Sequence, residues 1–558
     1  IGAHYTAKRS FCVPFCGVMG SNASASQAME LEEVARMLSP CGFDVIIVCC
    51  SNQAAENYWQ ARLEQTVVQV TGTNAKVVAV HEDWNGGAGN GLGTLYAYQK
   101  ARDKASRDGF DLDAKLSGGA SVALFHTAGK GTRLAPLPGA ENNNKPGVKL
   151  PSLLEVGGAA QPLTVLEAVM RQTSSYAPLR GGRISVFWGD QVFVPSAGIQ
   201  PSTHPADILA ALRPMPSKAE WEAGQLHQYG LIAVGTAGDA TQLEKVDYDT
   251  AKAYLPPDVE RVGTSLGSFS LSAALLAALM AEFAPELVAK CACLDSDPHF
   301  WMPLTLQKED YLAVMGKKGT PAGEAAAHYA RMAAFAAKFA PGGGGILGCV
   351  DVGAKALWWD YGRLELYQTN NLHAAEEGPS PHALRTFLKL QPQGAPESDA
   401  SGRQQRNQLG AGLTVHPSAV VLNCRIGSGT IGAGCVLVNV TAPEVEVEAA
   451  ILMSVTSAGP VRGKRGVLYN VVHEGSEPLS ADAVRADVFQ PGGKQIVVSS
   501  SIETDGGKAW KVTLPENAFS FEEVYKQNQK LDVSECQALG AAAHKRVAQA
   551  LETLERLP

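Results

Sequence analysis

The stretch Ser121-Val-Ala-Leu-Phe-His-Thr-Ala-Gly-Lys-Gly-Thr-Arg-Leu-Ala-Pro-Leu-Pro138 holds the densest set of groups that could handle an anion. Its apolar run, Val122 to Phe125, reads as a buried strand. The strand breaks into Ala128-Gly129-Lys130-Gly131-Thr132-Arg133, where two glycines allow a tight fold and bare N–H groups stand beside two cations. Such a loop suits phosphate oxygens, and a plain turn is the structural alternative. It is not a Walker A loop, because Gly131 stands where Ser or Thr should follow Gly129-Lys130 and Leu124 replaces the first glycine. Downstream, Asn142-Asn-Asn-Lys145-Pro-Gly-Val-Lys149 supplies two more cations. Two carboxylates follow: Asp190 ends Ile184-Ser-Val-Phe-Trp-Gly-Asp, and Asp360 lies in Ala356-Leu-Trp-Trp-Asp-Tyr-Gly362. Open α/β sheets bind ligands at the carboxyl ends of their strands, although a lone strand-end Asp is more often a cap. A second glycine run, Gly86-Gly-Ala-Gly-Asn-Gly-Leu-Gly-Thr94, lacks the last glycine of a dinucleotide fingerprint. It could offer a flat wall to a base, with a tight strand-to-helix turn as the alternative.

The elements that must position these groups alternate as in an α/β sheet. Helical spacing at 26–38 precedes a buried strand at 43–50, then a helix at 53–65, a strand at 76–81 and a helix at 95–102. After the loop come a helix from Leu163 to Met170 and the strand ending on Asp190. Tyr229 to Gly235 and Gln242 to Val246 read as strands bracketing a turn, and Gly263 to Leu271 as a strand feeding a helix to Glu282. Residues 283–345 look like an insertion, with an alanine-rich helix from Ala322 to Ala340. Asp295, Asp297 and His299 within it resemble metal ligands only superficially, since their Pro-interrupted spacing suits a loop. A helix from Leu364 to Thr369 follows, and the polar, Pro/Gly/Ser-rich stretch 391–409 reads as a linker. From Val415 to Val436 aliphatics recur every five or six residues with Ile-Gly repeats, the pattern of a hexapeptide parallel β-helix of two or three coils before Val440. The remainder carries the capping box Ser520-x-x-Glu523 and an amphipathic helix from about Ser534 to Leu557.

Composition narrows the function classes. With 558 residues the chain has room for three or four domains, each with its own core. A net charge of −8 argues against coating nucleic acid, and no apolar run reaches the roughly 18–20 residues of a membrane span. The eleven cysteines form no C-x-x-C knuckle, and neither Cys12/Cys16 nor Cys291/Cys293 has histidines at ligand spacing. Zinc is therefore disfavoured, and reduced core thiols in an intracellular compartment, cytoplasm or plastid stroma, are expected. The chain opens on Ile1 without a methionine, which points to a processed or trimmed terminus that would hide any targeting peptide.

Taken together, Ala128-Gly-Lys-Gly-Thr-Arg-Leu134 with Lys145-Pro146 downstream resembles the signature of the sugar-1-phosphate nucleotidyltransferases, the nucleotide-sugar pyrophosphorylases. Gly189-Asp190, Tyr229-Gly230, Glu244-Lys245 and Trp359-Asp360-x-Gly362 follow with matching character, and the repeats at 413–440 match the left-handed β-helix such enzymes often carry. The resemblance covers roughly residues 43–440. It implies a Rossmann-like sheet, a short left-handed parallel β-helix and a C-terminal α+β segment. The family's order is broken, however. The strand at Val45–Cys49 and the segment Gly91-Leu-Gly-Thr94 precede the loop instead of following it. Either residues 1–118 supply the displaced half of the sheet, as in a circular permutation, or they form an unrelated α/β domain. The expected parts are then 1–118, a catalytic part 119–390, the linker, a β-helix at 410–475 and a C-terminal part 476–558.

The resemblance implies attack of a sugar 1-phosphate oxygen on the α-phosphorus of a nucleoside triphosphate, with pyrophosphate leaving. The nucleophile is already an anion, so alignment and charge neutralisation replace a general base. Asp190 and Asp360 would hold Mg²⁺. Arg133 and the amides of Ala128, Gly129, Lys130, Gly131 and Thr132 would take the β- and γ-phosphates. Lys145, or its rival Lys149, would meet the α-phosphate. Glu244 and Lys245 would bind the sugar and its phosphate, Tyr229 and Gly230 would line that pocket, and Gly91, Gly93 and Thr94 would face the base. UTP and glucose 1-phosphate are favoured over ADP- or GDP-sugar chemistry. The alternative is a pyrophosphorylase-like regulatory or structural protein without activity. The β-helix or the C-terminal helices would serve as packing or homo-oligomer contacts.

Overall fold

The computed structural model describes residues 23–255, 259–340, 342, 345–391, 399, 401–553 and 557–558. Cys12 and Cys16 lie outside them. Thirteen strands precede residue 361: β1 (Val45–Cys50), β2 (Lys76–His81), β3 (Val122–His126), β4 (Lys149–Val156), β5 (Ala159–Thr164), β6 (Arg183–Trp188), β7 (Gln191–Val194), β8 (Ala206–Pro214), β9 (Gly230–Gly235), β10 (Ala240–Glu244), β11 (Val259–Ser272), β12 (Leu347–Asp351) and β13 (Leu357–Asp360).

β2, β1, β3 and β6 lie side by side and parallel, so the N-terminal strands and the loop strand belong to one sheet. β3 sits between β1 and β6, in register from Val45↔Val122 and from Val122↔Ile184. An unrelated N-terminal domain is thereby excluded. All six residues of β1 are buried, and they alternate between two cores. Ile46, Val48 and Cys50 pack with Trp59 and Leu63 of the helix Gln53–Thr71, whereas Val45, Ile47 and Cys49 pack with Leu92 and Leu95 of the helix Gly89–Arg107. A continuous aliphatic run is what a strand covered on both faces requires.

β11 is long enough to serve three partners. Its second half runs antiparallel to β6, and its first half pairs on that same edge with β9. β8 covers the opposite edge and carries β12 beyond it. The β9–β10 hairpin therefore lies past the carboxyl end of β6. The 283–345 stretch is helical over most of its described length and leads into β12; its alanine-rich helix is Ala322–Phe339.

Element ends moved where caps decide them. The helix expected from Leu163 begins at Val165, because Thr164 and Glu167 form a capping box and residues 149–164 pair as the β4–β5 hairpin. The capping box at Ser520 and Glu523 is present.

A second sheet of eleven strands spans Gln404 to Ser500. Its strands are parallel up to Val484, and Val421, Leu437, Leu452, Leu468 and Arg485 stack in one column. Asn423, Asn439, Ser454 and Asn470 turn the chain with positive φ at successive levels, and Asn423 Nδ2 donates to Asn439 Oδ1. The stack outruns the expected two or three coils and the bounds 410–475. Gln404–Gln405 and Gln408–Val415 are strands, so the linker is shorter than 391–409 as well; residues 392–398 and 400 lie outside the described ones. Levels of unequal length, 15 to 17 residues, blur the sequence period above Val440.

Candidate active site

β3 delivers the glycine loop at its carboxyl end. Gly129 and Gly131 take φ of 127° and 65°, a region that disfavours side chains, and Ala128, Gly129, Lys130 and Arg133 are exposed. Thr132 to Leu134 close the loop with one short helical turn. Beside it, Lys145 begins a second short turn whose preceding residue, Asn144, accepts from Trp59 Nε1 at 2.9 Å. A helix of the N-terminal half thus fixes the lysine's approach.

Asp190 follows β6 directly, and Asp360 ends β13, which pairs with β7. Tyr361 N–H donates to the Asp190 carbonyl at 3.1 Å and Gly362 N–H to Asp360 Oδ1 at 2.6 Å. Oxygens of both carboxylates lie 3.0 Å from the point where a side chain at Gly362 would start, so only glycine leaves the space between them clear. Lys145 Nζ sits 2.5 Å from Asp190 Oδ2. Burial pushes the Asp360 carboxyl above its ordinary range, and the Asp190 charge adds to the push. The Gly362 N–H, Lys145 and Arg133 pull it back. Arg133, Lys145, Asp190 and Asp360 therefore form one electrostatic group.

Among the described residues no three His, Cys, Asp or Glu side chains form a metal cage. Two converging carboxylates are nevertheless a donor set that suits Mg²⁺, which usually keeps water and substrate phosphates as its other ligands.

Lys149 is placed elsewhere. Its Nζ pairs with buried Glu141 at 2.8 Å and lies 5.1 Å from the ring centre of Tyr469, whose hydroxyl also donates to Glu141. It fastens the loop region to the second sheet. Lys149→Met is expected to lower stability by about 1–3 kcal/mol, since Glu141 loses its ion pair. Turnover per folded molecule should survive, whereas Lys145→Met should abolish it. Denaturant melts with assays below the transition decide this, and equal loss of turnover in both variants would return Lys149 to the site.

Gly230 pairs with Glu244, and Lys245 N–H donates to the Tyr229 carbonyl at 3.1 Å, so these four residues share one end of the β9–β10 hairpin. Leu231 pairs with Thr264, and β11 passes the end of β6 three residues later, where Gly267 abuts Trp188. That end of the hairpin lies toward the carboxyl end of β6.

The glycine wall is corrected. Gly91, Gly93 and Thr94 are buried in the helix Gly89–Arg107, not presented to open space. Leu294 lies across Gly91, where its carbonyl accepts from the N–H at 2.9 Å and a side chain on Gly89 or Gly91 would strike it at 2.6 or 2.8 Å. A side chain on Gly93 would instead meet Glu82 Oε2 at 3.2 Å and His126 at 3.7 Å. Asp295 lies outside helix and strand and caps the same turn through Asn90 N–H, whereas Asp297 and His299, also expected in a loop, lie in the short helical segment Asp297–Trp301.

His126 and Trp188 were missed. They end β3 and β6 and stack at 5.2 Å, directly beneath the loop and Asp190. Thr94 Oγ1 donates to the Asn90 carbonyl, so His126 Nε2–H donates to Thr94 and Nδ1 keeps its lone pair. Burial lowers the His126 pKa to about 4, which keeps the ring neutral. A strand-end His next to a glycine loop was the available signal.

No protein-family model matches this chain, and no curated protein sequence does. No helix among the described residues is long and apolar enough to cross a membrane, and the nine described cysteines are free thiols.

Proposed function

We propose that the chain is a sugar-1-phosphate nucleotidyltransferase. The observation that carries this reading is the convergence of the exposed loop with Arg133, Lys145, Asp190 and Asp360 at one end of a parallel sheet. In the proposed reaction an oxygen of the sugar phosphate forms a bond to the α-phosphorus of the triphosphate. The bond from that phosphorus to the bridging oxygen breaks, and its electrons leave with pyrophosphate. Asp190 and Asp360 would hold Mg²⁺, which draws charge from the α-phosphate and the incoming oxygen. Lys145, released from Asp190, would neutralise the α-phosphate. Arg133 and the amides from Ala128 to Thr132 would hold the departing pyrophosphate. Tyr229, Gly230, Glu244 and Lys245 would receive the sugar. UTP and glucose 1-phosphate are the favoured pair.

The strand order β2-β1-β3-β6 supports reading the N-terminal half as a permuted part of a Rossmann-like sheet. The stacked columns above Gln404 support a left-handed parallel β-helix. One observation favours the inactive alternative: Leu294 covers Gly91, part of the wall assigned to the base. Pyrophosphate release from a matrix of nucleoside triphosphates and sugar 1-phosphates with Mg²⁺ separates the two. Release with one preferred pair is expected, and silence across the matrix would leave the regulatory reading.

A further inference from the structure

The phosphate loop has a second wall that comes from the far end of the chain. Gly506 lies so close to the loop that a side chain there would meet the Thr132 carbonyl at 2.2 Å. At the neighbouring Gly507 a side chain would press at 3.2 Å on Asp505 Oδ1, the end of an exposed side chain that can give way. It would meet the loop only in ordinary contact, at 3.9 Å from Thr132 Oγ1 and 4.0 Å from Arg133 Cγ. Neither glycine has a positive φ, so alanine fits both backbones and only space separates them. Asp505 fixes this turn, since its Oδ1 accepts from the N–H groups of Gly507 and Lys508.

The helix Phe521–Asn528 continues the wall. Tyr525 offers its ring to Lys130 Nζ at 5.8 Å, and its carbonyl accepts from Asn143 Nδ2 at 2.7 Å. Asn528 Nδ2 donates to the Gly139 carbonyl at 2.8 Å. Ala135, at the end of the loop, packs in one apolar cluster with Val498, Phe521 and Val524.

A loop rich in glycine has high conformational entropy, and anion binding needs its amides held in place beforehand. On the side away from solvent, that restraint comes from residues 505–528. We infer that this C-terminal segment is a positioning element of the phosphate site, with Gly506 setting where Thr132 and Arg133 stand. The inference rests on the proposal that the loop binds phosphates. Gly506 touches no substrate and acts only through the loop.

The test uses the full chain as wild type, Gly506→Ala and Gly507→Ala. Three readouts are calorimetric binding of pyrophosphate with Mg²⁺, the KM of each substrate, and Tm. Gly506→Ala is expected to weaken pyrophosphate binding and raise the triphosphate KM about tenfold, because small displacements of binding groups are costly. The sugar 1-phosphate KM should stay within about twofold, as the residues proposed to receive the sugar belong to the β9–β10 hairpin and not to the loop. Gly507→Ala should match wild type in binding and KM, and Gly506→Ala, which must displace backbone at Thr132, should melt lower yet remain folded at the assay temperature. If Gly506→Ala binds pyrophosphate as wild type does, or if both KM values rise in step with a fall in Tm, the inference is overturned. A wild type that binds pyrophosphate, loses that binding in Gly506→Ala and yet turns over no pair would keep the wall and remove the enzyme. A wild type that neither binds nor turns over removes both. Should Gly506→Ala fail to fold, Tyr525→Leu replaces it, with about the same loss expected and Tyr525→Phe restoring binding by keeping the ring under Lys130. Equal behaviour of the two Tyr525 variants would overturn the inference.

Discussion

Asp190→Asn is expected to cut turnover by about 10²-fold or more while changing thermal stability at neutral pH little, because relief of the repulsion at Asp360 is offset by the ion pair that Lys145 loses. Asp190 and Asp360 are aimed at the same small space, and the Asp360 carboxyl is held above its ordinary range by burial and then by the Asp190 charge. The two carboxylates repel each other, and Lys145 and Arg133 offset only part of that repulsion. The sign follows from proton linkage. A carboxyl with a raised folded pKa binds its proton more tightly in the folded state, so it subtracts stability above that pKa. Stability therefore rises as pH falls through the window between the folded value and the ordinary 3.8. Removing the Asp190 charge narrows that window, so the variant's Tm should depend less on pH on its acid side than the wild type's. Mg²⁺ should raise the wild-type Tm and not the variant's. A variant that loses stability in proportion to activity would make Asp190 a structural residue, and normal turnover would sink the assignment of the site.

The loop, both carboxylates and Lys145 were legible because each is written in a short local pattern. A glycine that must take positive φ, or a carboxylate just past an apolar run, marks its place in the fold within a few residues. Choosing between Lys145 and Lys149 was not a local matter. It depends on Glu141 and Tyr469, the latter more than 300 residues away, which claim Lys149 from the second sheet. The glycines at 91 and 93 misled for a related reason. A glycine serves close approach by any neighbour, and here the neighbours are the chain's own Leu294 at Gly91 and Glu82 at Gly93. Gly506 shows the same limit from the other side, since nothing near it in sequence hints at Thr132.

Fold class was legible from the alternation of apolar runs with helical spacing, and β1, β2 and β3 fall close to where those runs lie. The extent of the second sheet was not. Its levels differ in length, and its longest strand, Val436–Glu448, turns through two columns without a break. A six-residue rule stops at such a strand although the stacking does not.

Glu167→Gln is expected to destabilise the protein by about 3–5 kcal/mol, because it leaves the Arg62 guanidinium buried without its counter-charge. Arg62 reaches Glu167 through Nε at 2.9 Å and through its second amino group at 3.0 Å, with the carboxylate fully buried. Burial pushes the Glu167 carboxyl up, but Arg62 and the Thr164 N–H outweigh it and hold the pKa below 4.5. The pair therefore stabilises the fold above that pH, and its contribution is lost as pH falls through the lowered folded value. Glu167→Gln should lose most at neutral pH and converge on wild type in acid. Arg62→Met combined with Glu167→Leu should recover much of the loss, since replacing both charges removes the need to compensate either. The bridge matters beyond its size because Arg62 belongs to the helix behind β1 and Glu167 to the helix between the loop and β6. If the N-terminal strands and the loop strand are one cooperative sheet, tryptophan fluorescence, to which Trp59 and Trp188 of the two halves both contribute, and far-ultraviolet dichroism should report the same shifted midpoint. Two separate midpoints, with only one of them moved, would mean that the halves fold independently despite their shared register.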